Sequence, residues 1–396
     1  MFDLDVVILG GCGHVGLPLG LVLADHDMKV ALYDINEDAV RTVAEGKMPF
    51  DEPGAPEVLE RVLANGTLRV TTDPTVLSQA ESLVVVIGTP IDEHLNPDLF
   101  AVPNAVAAVA EHFVDGQLLV LRSTVYPGVT GLVEQVVDEL PIEIDVAFCP
   151  ERIAEGKAMS ELCVLPQLVS GRTDRAVKRA EELFLRIADE TVRLEPEEAE
   201  LAKLFTNSWR YIKFAVANQF YMMANEYDID FERVRSALAQ NYPRAADLPG
   251  AGFAAGPCLF KDTMQLAAFN NNGFTLGHAS MMINEGLPLY LVSSMEHHYD
   301  LAEMTVGILG MAFKAESDDI RASLSYKLKR ILRFKTREVL CADPYVRDDP
   351  DLVDLDTVLE RADLLVIGAP HARYAELKYT APVVDIWNLL GQGVRA

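Results

Sequence analysis

The hexapeptide Gly11-Cys12-Gly13-His14-Val15-Gly16 does most to limit what this chain can fold into. It places three glycines just after the alternating strand pattern Asp5–Leu9, which runs into them through Gly10, and at the head of a helical pattern, Val15–Ala24. Glycines at this spacing permit a tight turn, close approach of backbone to a pyrophosphate, and close packing of helix on strand. The helix N-terminus supplies amide donors and a positive dipole end for the phosphates. A second strand pattern, Lys29–Tyr33, ends in Asp34, placed to accept from both ribose hydroxyls. A carboxylate at that point repels a 2′-phosphate, so the expected dinucleotide is NAD rather than NADP. Turn glycines beside a surface aspartate are the plainer alternative; strand, helix and acid in sequence select dinucleotide binding.

Strand patterns continue at Leu68–Thr71, Ser82–Ile87, Leu118–Leu121 and Asp145–Phe148, with helical patterns between most of them. Strands alternating with helices imply a parallel, doubly wound α/β sheet, here of Rossmann type. The pattern changes near residue 195. Pro196, followed by Glu197, Glu198 and Glu200, is a good helix start because early acids complement the dipole. A single helix is expected from there to about Tyr227, of the kind that joins domains or carries a dimer interface. Asp230 to about His298 reads as helical, broken by a loop at Tyr242–Pro257, and strand patterns return after Glu303. The expected plan is a cofactor domain over 1–195, a central long helix with a helical dimerisation domain over 196–298, and a second α/β domain over 303–396. The two α/β patterns are compatible with a distant similarity in fold, though no convincing sequence repeat is visible.

Half of the 396 residues are apolar and 24% are charged, which is globular composition. The net charge of −26 speaks against nucleic acid and anionic membrane as partners. The start of the chain reads as a first strand rather than a signal peptide, and no apolar run approaches the roughly 18 residues that span a bilayer. A cytoplasmic protein is expected. Five scattered cysteines with no CxxC pair indicate reduced thiols, and no His/Cys cluster has metal-ligand spacing, so no metal is expected.

One cysteine stands in unusual company. Gly252-Phe253-Ala254-Ala255-Gly256-Pro257-Cys258-Leu259-Phe260-Lys261-Asp262 sets a thiol in a loop of small residues with two ionisable groups within one turn. A nearby cation favours thiolate, the reactive form. Taken alone the segment allows two readings, a nucleophile or a small buried apolar residue.

Seven ordered segments resemble the signatures of the UDP-glucose/GDP-mannose dehydrogenase family along nearly the whole chain. They are Gly11 to Gly16; Gly88-Thr89-Pro90; Ser123-Thr124-Val125-Tyr126-Pro127-Gly128; Cys149-Pro150-Glu151 through Gly156; Glu198-Ala199-Glu200-Leu201-Ala202-Lys203 with Asn207; Ala255 through Asp262; and Ala312-Phe313-Lys314 with Asp318 through Ser323. The resemblance implies a two-step oxidation of the C6 alcohol of a nucleotide sugar, expected to be UDP-linked, to a uronate. Two NAD accept the hydrides in turn, and Cys258 carries thiohemiacetal and thioester intermediates. It further implies that Lys203 and Asn207 donate to the developing oxyanion, that Asp262 and Thr124 orient or activate the hydrolytic water, and that Glu151 is an acid/base at the thioester step. Gly11, Gly13, His14, Val15, Gly16, Asp34, Thr89, Pro90, Thr124 and Arg321 would hold NAD. Glu151, Lys203, Asn207, Arg244, Cys258 and Lys314 would hold the sugar nucleotide, with Arg244 reaching the partner's site in a homodimer. Without the resemblance, Lys203 reads as an exposed helix lysine, Glu151 as a loop ion pair, and Lys314 and Arg321 as solvated charges.

His14 stands where the family usually has tyrosine, Ala255 and Phe260 replace a glycine and a proline of the cysteine segment, and Trp387-Asn388 stands where many members carry a basic residue. The Ser123–Gly128 element and the short C-terminal domain resemble members acting on UDP-N-acetylhexosamines more than those acting on UDP-glucose. A one-step hydroxyacid-type dehydrogenase or a non-catalytic NAD-binding regulator are the competing readings. The former needs neither Cys258 nor a second α/β domain; the latter would be expected to lack Cys258, Lys203 or Asp262.

Overall fold

The computed structural model describes residues 2–89, 91–92 and 97–394. The chain forms two compact units, Met1–Phe205 and Thr206–Ala396. In the first, strands β1 (Leu4–Leu9), β2 (Val30–Tyr33), β3 (Leu68–Thr71), β4 (Ala80–Val85), β5 (Leu118–Leu121), β6 (Asp145–Phe148), β7 (Gln167–Gly171) and β8 (Thr191–Leu194) form one sheet in the order β3-β2-β1-β4-β5-β6-β7-β8. Every neighbour is parallel except β6 and β7, which pair antiparallel. The expected doubly wound sheet is present, with β7 and β8 extending it beyond the strands legible in the sequence. β8 was hidden for a physical reason: it is a half-exposed edge strand whose TVRL shows no run of apolar residues.

Both faces of the sheet are covered, so β1 is apolar from Val6 to Leu9 instead of alternating. Val6 and Ile8 point into one core with Leu17 and Leu21 of the first helix, Gly16–Asp25. Val7 and Leu9, one residue out of step, point into the other with Val102, Val129 and Val133. The register Val6↔Val30 through Leu9↔Tyr33 brings the ends of β1 and β2 level, which sets the glycine turn beside Asp34.

In the second unit the long helix Pro196–Asn225, whose first turns lie in the first unit, is followed by helices Phe231–Ala239, Leu259–Phe269 and Thr275–His298. Strands β9 (Thr305–Leu309), β10 (Glu338–Ala342), β11 (Leu364–Ile367) and β12 (Val383–Val384) then build a parallel sheet in the order β10-β9-β11-β12. That order repeats β2-β1-β4-β5 of the first sheet. The repetition reaches local detail that sequence comparison alone did not show. A Cβ on Gly10, after β1, would meet the Val86 carbonyl oxygen at 2.0 Å, and one on Gly310, after β9, would meet the Ala369 nitrogen at 2.5 Å. Asp34, after β2, accepts from Cys12 N–H (3.0 Å), and Asp343, after β10, accepts from Met311 and Ala312 N–H (2.6 and 2.9 Å). Among the described residues no helix is long and apolar enough to cross a membrane.

Candidate active site

The glycine turn separates what the protein needs from what a ligand needs. A Cβ on Gly11 would lie 2.7 Å from the Leu32 Cβ and 2.9 Å from the Ile8 carbonyl oxygen; one on Gly16 would lie 2.4 Å from the Gly10 carbonyl oxygen. Those two glycines are required by packing alone. At Gly13 the nearest atom is 3.8 Å away, so nothing within the protein excludes a side chain. The helix that follows has no side-chain cap and no acid in its first turn; Leu17 N–H donates to the Gly13 carbonyl and Pro18 has no N–H, which leaves the Val15 and Gly16 amides for an anion. Asp34 spends one oxygen on Cys12 N–H and the other on Asn36 N–H, both at 3.0 Å, and each retains lone pairs for a hydroxyl. Room at Gly13, uncapped amides and an acid at the end of β2 fit NAD. In the second unit Asp343 is fully engaged, accepting also from Tyr345 and Val346 N–H and meeting His371 Nε2 at 3.1 Å. His14 stacks on Phe50, with ring centroids 4.0 Å apart. Thr89 Oγ1 donates to the Thr124 carbonyl at 2.7 Å, which joins the exits of β4 and β5; Pro90 lies outside the described residues.

At the end of β6, Glu151 is 7% exposed and pairs with the buried Arg122 guanidinium. Its Oε1 accepts from Arg152 and Ile153 N–H at 2.6 and 3.0 Å. Burial pushes its carboxyl up, but Arg122, those two amides and Lys203 together hold it below the usual carboxylate range. Lys203 is itself buried, so the long helix does not present it as an exposed lysine. Three residues earlier, Glu200 accepts from Gly128 N–H (2.6 Å), Thr130 N–H (2.9 Å) and Thr130 Oγ1 (2.6 Å), capping the helix Val129–Asp138 that leads away from Thr124. The first unit thus gathers Thr124, Glu151 and Lys203 at the ends of β5, β6 and the start of the long helix.

In the second unit Cys258 stands at the N-terminus of the helix Leu259–Phe269 and is exposed. The other thiols are less accessible. Burial pushes Cys12 and Cys149 up to about 12 and Cys341 up to about 11, and Cys163 is half-buried. One turn on from Cys258, Asp262 is fully buried, accepts from Asn207 Nδ2 at 2.5 Å, and pairs with Lys261 Nζ at 3.1 Å. Cys258, Asp262 and Asn207 therefore form one cluster. The segment carrying Lys314 and Arg321 joins the same loop: Gly256 N–H donates to the Ala322 carbonyl (3.4 Å), and a Cβ on Gly256, at φ +99°, would strike the Phe313 ring at 2.7 Å. Lys314 Nζ lies 5.4 Å from the centre of that ring, while Arg321 forks onto Asp319. Arg244 is exposed on a turn, its Nη1 3.4 Å from the Tyr242 hydroxyl and not part of the cysteine cluster.

Two residues that support the cysteine loop were not among the expected site residues. Buried Asn218 donates to the Gly252 carbonyl (3.0 Å) and accepts its N–H (2.9 Å), tying the cysteine loop to the long helix; its spacing of three turns from Asn207 was the available clue. Trp387 fills the space beside Gly252, where a Cβ would meet its ring at 2.2 Å, and donates to the Ile367 carbonyl at 3.1 Å. It serves there as packing for the loop. Along the long helix, Trp209, Val216, Phe220 and Met223 are exposed, and with Tyr227 beyond its end they fall on one face.

Residues 5–188 match the NAD binding domain of the UDP-glucose/GDP-mannose dehydrogenase family, residues 197–285 its central domain, and residues 307–392 its UDP binding domain. The chain is 29% identical over 398 residues to a UDP-N-acetyl-D-mannosamine dehydrogenase of Pyrococcus horikoshii, covering 97% of this chain and 92% of that protein. It is 27% identical over 400 residues to an NDP-N-acetyl-D-galactosaminuronic acid dehydrogenase of Ralstonia nicotianae, covering 95% and 93%. The solved UDP-D-ManNAc dehydrogenase of Pyrococcus horikoshii superposes with a TM-score of 0.90 at 27% identity, over 98% of this chain and 97% of that one. A UDP-glucose dehydrogenase from Pyrobaculum islandicum gives the same TM-score and identity over 96% and 94%.

Proposed function

Because this chain belongs to the UDP-glucose/GDP-mannose dehydrogenase family, and is thus an NAD-dependent dehydrogenase of nucleotide sugars, we propose that it oxidises the C6 alcohol of a UDP-linked sugar to the carboxylate in two steps through Cys258. The observation that carries the reading is the cysteine cluster. Cys258 is the exposed thiol of the five, it heads a helix whose N-terminus supports negative charge, and its next turn bears Asp262 held by Asn207 and Lys261. NAD, when bound, accepts a hydride in each step. The protein's own residues do the rest. The Cys258 thiolate adds to the C6 aldehyde to form a thiohemiacetal; after the second hydride leaves, the resulting thioester is cut by water, which restores the thiol and releases the acid. Lys203 and Asn207, one turn apart on the long helix, donate to the oxygen as its charge develops. Thr124 and Asp262 orient the water, and Glu151 serves the thioester step.

Gly11, Gly13, His14, Val15, Gly16, Asp34, Thr89, Pro90, Thr124 and Arg321 hold NAD in this reading; Arg244 and Lys314 bind the sugar nucleotide. The relatives named for N-acetylmannosamine and N-acetylgalactosaminuronic acid support a UDP-N-acetylhexosamine as substrate. The exposed apolar face of the long helix supports a homodimer, in which Arg244 reaches the partner's substrate. Three functional parts, 1–195, 196–298 and 303–396, divide this work between cofactor, cysteine and nucleotide. Incubation with NAD and a panel of nucleotide sugars tests the reading: two NADH per sugar and a carboxylate product are expected. One NADH per sugar with an accumulating ketone would exclude it.

A further inference from the structure

Arg122 has no part in the reaction as described, yet it is among the largest fully buried side chains of the molecule. It leaves the end of β5 immediately before Ser123 and Thr124. Its Nε donates to Glu151 Oε2 at 2.9 Å, and Nη2 donates to the same oxygen and to Gln167 Oε1 (2.9 Å). Nη1 donates to the Cys149 carbonyl at 3.1 Å, and the guanidinium lies over the Phe184 ring, 4.6 Å from its centre. Gln167 is itself oriented by donating to the Leu162 and Leu165 carbonyls. This is a socket shaped for a planar, forked cation.

The socket determines the chemistry open to Glu151. One carboxylate oxygen receives two guanidinium donors and the other receives two backbone N–H groups, so every partner given to the carboxylate is a donor. A protonated carboxyl would turn its own hydrogen toward donors. We propose that Arg122 is a positioning residue that holds Glu151 ionised, so that Glu151 enters the thioester step as an acceptor and negative charge beside Lys203 and not as a proton donor. The depressed titration of Glu151 agrees with this geometry. The inference rests on the nucleotide-sugar reading for its kinetic arm and on geometry alone for its spectroscopic arm.

Infrared difference spectra between the protein and its Glu151→Gln variant isolate this one carboxyl. In the wild-type protein the protonated C=O band should be absent near neutral pH and appear only below the usual carboxylate range. In Arg122→Gln, loss of a contacting opposite charge should raise the midpoint by about 1–3 pH units. The acid limb of kcat should move with it, while NAD affinity and the basic limb stay in place. Should Arg122→Gln fail to fold, Arg122→Lys serves: one ammonium keeps charge but cannot meet Glu151, Gln167 and Cys149 together. It should raise the midpoint in the same direction by less. A protonated Glu151 in the wild-type protein near neutrality would overturn the proposal, as would an unmoved midpoint in a folded Arg122 variant that only lost thermal stability. Absence of sugar oxidation by the wild-type protein at every pH would instead sink the functional reading, leaving the spectra to judge Arg122.

Discussion

Alanine substitution at Gly13 and at Gly11 should have opposite consequences, although the two glycines are two residues apart in one motif. A methyl on Gly11 lands 2.7 Å from the Leu32 Cβ and 2.9 Å from backbone atoms of Ile8 and Leu32, on two paired strands that cannot retreat independently. Overpacking of that kind costs about 1–3 kcal/mol. For a unit of this size each kcal/mol lowers the melting temperature by roughly 2–4 °C, so Gly11→Ala should melt about 2–12 °C lower. A methyl on Gly13 meets nothing closer than 3.8 Å, and Gly13 is not among the positive-φ glycines, so no backbone strain opposes it. Its removal from the unfolded ensemble's freedom should stabilise the apo-protein by about 0.4–1 kcal/mol. The methyl would instead occupy space left for the pyrophosphate, with an overpacking cost on the order of 1–3 kcal/mol, or about 5- to 150-fold in NAD affinity. Melting without ligand, followed by fluorescence titration with NAD, separates the two effects. If Gly13→Ala bound NAD as tightly as the wild-type protein, the assignment of that gap to the cofactor would be wrong.

Cys258→Ser should abolish overall turnover while sugar and NAD binding persist, since the hydroxyl is far less ionised near neutral pH; Cys149→Ser should keep turnover, and the reverse result would move the nucleophile. Replacing Asp34 with Ser should narrow the preference for NAD over NADP, with a stability loss of about 1–3 kcal/mol because Cys12 and Asn36 N–H lose their carboxylate acceptor; an unchanged cofactor ratio would count against the ribose contact. Mixing Arg244→Ala subunits with Cys258→Ala subunits should restore partial activity in exchanged dimers. If exchange is demonstrated and no activity returns, Arg244 does not act across the interface.

The cofactor half of the protein was legible because its determinants are local. A glycine turn, the apolar run before it and Asp34 lie within one βαβ unit, and hydrophobic periodicity over so short a span reports the sheet directly. The proximity of Cys258 and Asp262 was legible for the same reason, since they lie one helical turn apart. The fate of a charge depends instead on what faces it across many residues. Nothing near Glu151 in sequence says that a guanidinium 29 positions earlier would fork onto it, or that Gln167 would complete the socket. The kinship of the two sheets showed in sequence only as two α/β patterns without a repeat, because it resides in strand order and carboxylate-to-amide bonds rather than in residue identity. Local pattern set which segments became strands, helices and loops. Only tertiary packing decided which polar side chains were removed from water, and with it which of them hold a charge, since the energy of burying a charge depends on partners that long-range folding alone brings near.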